Sequence, residues 1–188
     1  MVNVWFTSDW HLGHNNIIKH CNRPFSNIKE MNEVIIDNHN SLVKKNDIVY
    51  HHGDISFKTN YKYISHLMSK FNGVFHVLKG NHDKINILQR LKNDDLIESV
   101  QDVLGIEING KYIWMSHYPH RSWNRSFHGS WHTYGHCHGT IKPFGRSFDV
   151  GVDCWNYKPL HFDEVVEKMK ELELIIKNRA CSLEMKIS

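Results

Sequence analysis

Asp47-Ile48-Val49-Tyr50-His51-His52-Gly53-Asp54 is a short apolar run that stops in a knot of histidine, glycine and aspartate. Ile48 to Tyr50 reads as a strand, and the polar residues after it read as a loop at its carboxyl end. The same grammar recurs on both sides. Upstream, Val2, Val4 and Phe6 alternate with other residues and run into Thr7-Ser8-Asp9, with His11 two positions further on. Downstream, Val74 to Leu78 delivers Lys79-Gly80-Asn81-His82-Asp83. Between these strands lie helical stripes. Ile28, Met31, Val34, Ile35 and Leu42 predict a helix from Asn27 to about Lys45, capped by Asn27 with Glu30 three residues on. Tyr61, Ile64, Leu67 and Met68 predict a second helix ending before Gly73, and Ile85, Leu88 and Leu91 a third. Strands alternating with helices predict a largely parallel sheet whose functional residues sit at the carboxyl ends of the strands.

The second half changes pattern. Leu104 to Ile108 and Lys111 to Met115 flank Asn109-Gly110, the signature of a hairpin with a type I′ turn. Short strands are expected at Trp131 to Tyr134 and Ser147 to Val152, and a helix at Asp163 to Lys177 with Val165, Val166, Met169, Leu172 and Ile176 on one face. Two more polar clusters stand here, Ser116-His117-Tyr118-Pro119 and Gly135-His136-Cys137-His138. With Asp9-Trp10-His11, Gly53-Asp54 and Gly80-Asn81-His82-Asp83 they supply the carboxylates, imidazoles and amide of a two-metal site. His11 follows Asp9 by two residues and His138 follows His136 by two, so in extended chain each pair would point to one side. Trp10 and Cys137 would turn away, Cys137 as a small buried hydrophobe rather than a ligand. With neither linker nor internal repeat, residues 1–188 are expected to form one α/β domain (α+β in some schemes), with two packed sheets and helices outside.

Composition narrows the class. A hydrophobic content of 40% and a charged content of 23% suit a folded globular chain. A net charge of +3 does not call for a polyanionic partner, so nucleic acid is not supported, and no apolar run is long enough to span a bilayer. Cys21, Cys137, Cys154 and Cys181 form no regular spacing, which suits free thiols in a reducing compartment. With no secretory leader visible after Met1, a cytoplasmic location is expected. Sixteen histidines are many, and only their positions can separate ligands from scattered core and surface residues.

The order D-x-H, G-D, G-N-H-D, H, G-H-x-H over residues 9–138 resembles that of the calcineurin-like metallophosphoesterase superfamily. Three longer strings, Phe6 to Ile18, Trp131 to Gly139 and Asp149-Val150-Gly151-Val152-Asp153, together with Ser116 to Pro119, look like its small single-domain branch in bacteria and their phages. The resemblance implies a four-layer α/β/β/α sandwich, metallo-dependent phosphatase-like, with the metals between the strand ends. It implies that Asp54 bridges two ions, that Asp9, His11 and His138 complete one, and that Asn81, His117 and His136 complete the other. It gives His82 the role of general acid, with Asp83 orienting its imidazole or, on the competing reading, merely starting a helix before Lys84. Imidazole, carboxylate and amide donors suit two divalent transition-metal ions, Mn²⁺ first, with Fe, Ni²⁺ or Zn²⁺ also suited. The function implied is hydrolysis of a phosphodiester or phosphomonoester, small or nucleotide-like, by a hydroxide bridging the metals. The alternatives are a nuclease or protein phosphatase using the same centre, or a metal-loaded scaffold without catalysis.

Around this set, His14, Asn15 and Asn16 open a short helix whose amides could hold a phosphate oxygen, and Arg23 and Arg121 could give it bidentate contacts. Tyr118, Trp123 and Trp155 could stack on a base. Against these stand the structural readings, since exposed arginines are commonly solvated and tryptophans commonly packed. His51 and His52 are expected as core or supporting residues, His128 and His132 take no role, and the oligomeric state is open.

Overall fold

In the computed structural model, which describes residues 2–184, five strands form one sheet in the order β4-β3-β2-β1-β9: β1 (Val4–Thr7), β2 (Ile48–His51), β3 (Val74–Leu78), β4 (Ser99–Gln101) and β9 (Leu160–His161). Met1, residues 185–188 and the Cys181 side chain lie outside the described residues. β1 to β4 are parallel, and β9 closes the edge antiparallel to β1. Register places the site: Thr7 pairs with His51 and His51 with Val77, so three strands finish level with one another. The polar residues that follow them are therefore delivered to one edge of the sheet.

The second sheet has the order β5-β6-β7-β8: β5 (Val103–Ile108), β6 (Lys111–Ser116), β7 (Trp131–Tyr134) and β8 (Ser147–Asp149). β5 and β6 form the expected hairpin, with Asn109 at φ 49° and Gly110 at φ 72°, as a type I′ turn requires. β6, β7 and β8 run parallel, so Ser116, Tyr134 and Asp149 also end on one side. Ser8 bridges to Gly151, lacing the active edges of the two sheets together.

Helices α1 (Asn15–His20), α2 (Ile28–Leu42), α3 (Tyr61–Met68) and α4 (Ile85–Asn93) follow the first-sheet strands, and α5 (Phe162–Glu184) ends the described chain. α2 starts where its cap dictates: the Asn27 side chain accepts the Glu30 amide at 3.0 Å, and Glu30 returns the favour to Ser26 N at 2.7 Å. One apolar cluster joins Trp5, Val49, Phe75 and Val77 to the buried faces of α2, α3 and α4. Another joins Phe6 and Leu78 to Ile113, Met115, Trp131 and Phe148 of the second sheet and to Val165, Met169 and Leu172 of α5. Trp10 is the pivot of the first: it is buried, lies flat on Phe71 at 4.0 Å between ring centres, and donates to Thr7 Oγ1. Burying such a ring contributes about 2 to 3 kcal/mol beside the site it adjoins.

One expected element shortens, and two short strands go unforeseen. The strand sought at Ser147 to Val152 stops at Asp149, because residues 152–154 turn into a short 3₁₀ segment. β4 and β9 carry too few residues, three and two, to leave an alternation in the sequence.

Candidate metal centre

The loops after β1 and β2 are stitched together by backbone bonds, Asp9 N to Gly53 O at 3.0 Å, His11 N to Asp54 O at 2.9 Å and Leu12 N to Ile55 O at 2.9 Å. The chain here is not extended, which corrects the geometry expected for the two-residue spacings. Asp9, His11, His136 and His138 have φ of 60°, 52°, 70° and 47°, and Asp54 joins them at 58°. These left-handed turns, rather than strand alternation, aim the side chains at a common point. Trp10 and Cys137 do turn inward to the core.

Donor atoms of Asp9, His11 and His138 lie within 4.8 Å of one another, and so do those of Asp54, His117 and His136. Asp54 stands between the groups: its Oδ2 is 3.5 Å from His11 Nε2 and 3.5 Å from His117 Nε2. Asn81 Oδ1 lies 2.9 Å from His117 Nε2 and 2.8 Å from His136 Nδ1. All seven predicted ligand residues are thus brought together. His82 joins them at the rim, 36% exposed in its side chain, with Nε2 4.0 Å from Asp54 Oδ2 and its amide donating to Asp54 Oδ1 at 2.9 Å.

The residues fit a cation on their own physical terms. His11 is buried, yet neither ring nitrogen has a hydrogen-bond partner. Burial, reinforced by the charges of His138 and Arg23, drives its pKa far down, so it presents lone pairs. Burial also raises Asp9 and Asp54, and the carboxylates of Asp149 and Asp54 raise Asp9 further, a cost that a bound cation would remove. The glycines keep the space: a Cβ on Gly80 would fall on Asp54, and one on Gly135 would fall on Ser8 and Asp9.

Behind the ligands lies a layer that fixes their rings. His117 Nδ1–H donates to His52 O at 2.8 Å, which leaves Nε2 free for the centre. Burial lowers His117 to about 4, against the pull of that bond. His138 Nδ1 meets Asp153 Oδ2 at 2.6 Å. Burial opposes a charge on His138, but Asp153, Cys21 and Asp9 together push its pKa up to about 10.

Asp153 is in turn clamped by Arg23, with Nε to Oδ1 at 2.8 Å and Nη2 to Oδ2 at 2.7 Å. The same guanidinium donates to Trp10 O at 3.0 Å and Asp9 O at 2.8 Å and is 4% exposed. Arg23 is therefore a buried strut, not the substrate contact expected. Asp83 needs a similar correction. Its carboxylate accepts three amides, Asp54 N at 2.7 Å, Gly80 N at 2.9 Å and Ile55 N at 3.1 Å, so it ties two loops together and does not orient His82. Burial, with the charge of Asp54 adding to it, lifts Asp83 to about 6.

His14 lies beside the centre, its ring 5.5 Å from that of His11, while Asn15 and Asn16 are exposed on the first turn of α1. Arg121 sits over Phe144 at 5.5 Å and shares its surface groove with none of the ligands. Trp123 donates to Ser130 and Trp155 to Asp149 O, so both are held in the fold, while Tyr118 reaches the site. His51 and His52 are buried supports, as expected: His51 Nδ1 accepts Gly53 N, and His52 Nε2 meets Thr133 Oγ1. His132 caps the turn after His117 by accepting His120 N at 3.0 Å. Asp149 and Asp153 were without an assigned role. Their signal was two carboxylates at the end of an apolar strand, the same grammar as Asp9 and Asp54. Asp149 accepts Gly139 N at 3.0 Å and Gly151 N at 2.7 Å, pinning the loop that carries His136 and His138.

Comparison with known proteins agrees with this geometry. The chain is 35% identical over 183 residues to the uncharacterized protein MJ1445 of Methanocaldococcus jannaschii, covering 93% of this chain and 96% of that protein. It is 26% identical over 184 residues to the Gene 66 protein of Mycobacterium phage L5, covering 82% and 88%. Its fold superimposes on the crystal structure of AQ665, a protein of unknown function from Aquifex aeolicus, with a TM-score of 0.72 at 24% identity, over 89% of this chain and 99% of that one. A sequence profile of one family spans residues 2–175, the whole of both sheets and every residue of the centre, and the chain belongs to that family, the calcineurin-like phosphoesterases.

Proposed function

We propose that the protein is a phosphoesterase dependent on two divalent transition-metal ions, Mn²⁺ first, hydrolysing a small or nucleotide-like phosphodiester or phosphomonoester in the cytoplasm. The single observation that supports this most is Asp54 Oδ2, equidistant at 3.5 Å from imidazole nitrogens of the two ligand groups, the position a bridging carboxylate must take. Asp9, His11 and His138 would hold one ion and Asn81, His117 and His136 the other, with Asp54 shared. When bound, such ions supply charge stabilisation at the phosphoryl oxygens and a water of lowered pKa.

The chain's own residues supply the rest. Hydrolysis joins a water oxygen to phosphorus and breaks the ester P–O bond, and the departing oxygen must gain a proton. His82 stands outside both proposed ligand groups with its imidazole 36% exposed at the rim, so it gives that proton. Its amide bond to Asp54 fixes the distance between acid and centre, and the Asp83 clamp holds the loop that carries it. Arg23 and Asp153 orient His138. No helix among the described residues is long and apolar enough to cross a membrane. Cys21, Cys137 and Cys154 are free thiols, which agrees with a reducing compartment.

The test is hydrolysis of paired chromogenic phosphomonoester and phosphodiester substrates by protein reconstituted with Mn²⁺, Ni²⁺, Zn²⁺ or Mg²⁺. Turnover that needs a transition metal and is lost in Asp54→Ala is the expected result. Bound metal without turnover of either ester would refute the proposal.

A further inference from the structure

Most of the described phenylalanines are core residues, among them Phe6, Phe71, Phe75, Phe148 and Phe162, each under 9% exposed. Phe57 and Tyr118 depart from this at one place, the rim of the metal centre, where each is 47% exposed. Phe57 lies flat on His14 at 4.0 Å and 10°, with its ring centre 5.2 Å from that of His82. Beside the other candidate ligand group, the Tyr118 ring is 4.6 Å from His136 and 5.1 Å from His117. Other exposed aromatics, Phe127 and Phe144, touch no ligand.

The backbone under each ring is pinned. Ser56 Oγ donates to Leu12 O at 2.7 Å and accepts Lys58 N at 3.1 Å, which fixes the turn presenting Phe57. Ser116 Oγ donates to Tyr118 O at 2.7 Å, which fixes the other. Two aromatic rings held in place with open surface flank the reacting centre, one beside the proton donor and one beside a ligand of the second metal group. Exposed apolar rings cost free energy in water, and rigid ones cost little further entropy when a planar partner arrives.

We propose that Phe57 and Tyr118 are the two stacking walls of the substrate cleft, and that the phosphoester taken there carries planar rings, nucleobase or aryl. Because His82 protonates the departing oxygen, the group on the Phe57 side leaves and the group on the Tyr118 side stays with the phosphoryl. The inference rests on the phosphoesterase reading and gives it a substrate class: a diester with a ring on each side, such as a short nucleotide diester, in preference to a phosphosugar or a phosphoprotein. Flat stacking surfaces accept any base, so selectivity for ring over no ring should exceed selectivity among bases.

The test separates binding from turnover. Mn²⁺-loaded protein is titrated at equilibrium with adenosine 5′-monophosphate and with ribose 5-phosphate, which differ by the base alone. The nucleotide should bind about tenfold more tightly, the scale of one base stacking on one aromatic ring. Tyr118→Ala should abolish the difference, and Tyr118→Phe should keep it. In turnover, Phe57→Ala should raise KM about tenfold for a diester with an aryl leaving group and leave the KM of the matching methyl ester near its parent value. Equal affinity for the two ligands, or a preference that survives Tyr118→Ala, overturns the stacking cleft. Hydrolysis that depends on Asp54 but shows no ring preference would sink this inference and leave the phosphoesterase standing. Ring-dependent binding without hydrolysis of any ester would do the reverse.

Discussion

Arg23→Ala is the substitution whose effect the structure fixes most closely, because every contact it breaks can be named. It removes the two bonds to Asp153, at 2.8 and 2.7 Å, and the donors to Trp10 O and Asp9 O, at 3.0 and 2.8 Å. What remains is a buried Asp153 whose one other side-chain partner is His138, and two carbonyls inside the loop that bears Asp9 and His11. Breaking a buried pair from one side costs about 3 to 5 kcal/mol. The carbonyls add less than their individual cost, because the loop can relax toward the space vacated. A net loss of about 4 kcal/mol is expected, a large part of a total stability of about 5 to 15 kcal/mol, with Tm lower by roughly 8 to 16 °C for a chain of this length. Arg23→Lys should recover less than half, since an ammonium cannot make the paired fork. Urea unfolding of the metal-free protein measures the stability term. Metal titration measures the second consequence, an affinity about 10- to 100-fold weaker once His138 has lost its braced Asp153. Stability within 1 kcal/mol of the parent together with unchanged metal affinity would refute the strut.

Asp54→Ala should lose or disorder metal in both ligand groups, whereas His82→Ala should keep metal and lose turnover by about 10²- to 10⁴-fold, most on esters with poor leaving groups; metal analysis beside kinetics with leaving groups of graded pKa distinguishes them. His39 is pushed down to about 4 by burial, against its 2.7 Å bond to Asn72 O, and packs among Trp10, Phe71 and Phe75. Its folded pKa is below the unfolded value, so the unfolded chain takes the proton first and stability falls as pH drops from about 6.5 to 4. The loss from this group between pH 7 and 4.5 should be about 2 to 3 kcal/mol; in urea melts at the two pH values His39→Gln should lack it, so the stability difference between parent and variant should change by that amount. Gly135→Ala would drive a Cβ into Ser8 and the Asp9 carboxylate, and should cost about 1 to 3 kcal/mol and weaken metal binding. A variant with parental Tm and affinity would show that the loop yields freely.

Much of this was legible because the chain repeats one local rule, an apolar strand that ends in His, Asp and Asn. Parallel pairing turns that rule into geometry, since level strand ends must gather their polar residues, and the seven candidate ligands from five clusters come together. The misreadings share a physical cause. Arg23, expected as a substrate contact, and Asp83, expected to orient His82 or start a helix, are instead buried with their hydrogen-bonding capacity filled by partners far away in sequence, Asp153 at a separation of 130 and the amides of Asp54 and Ile55 at 29 and 28. No pattern within a window of residues can show such a partner. Asp153 itself could be seen, as a carboxylate beyond a strand, but not the histidine it would hold.

The two-residue spacings show a different point, because the side chains converge by a geometry other than the one expected. Extended chain would have turned Asp9 and His11 to one side, but the backbone at both is left-handed, as it is at Asp54, His136 and His138. A left-handed residue other than glycine costs roughly 1 to 2 kcal/mol, so five of them approach the whole stability of a domain. Glycine would be free of this cost and is useless here, having no ligand atom. Among side chains that carry one, Asn, Asp and His tolerate the left-handed region best. The same residue types thus satisfy the metal and the turn. The rest of the cost is met by the stitching bonds from Asp9, His11 and Leu12 to the 53–55 loop and by the Trp10 core beneath them. Strain of this kind, offset elsewhere in the fold, holds the five candidate ligand side chains toward the candidate centre.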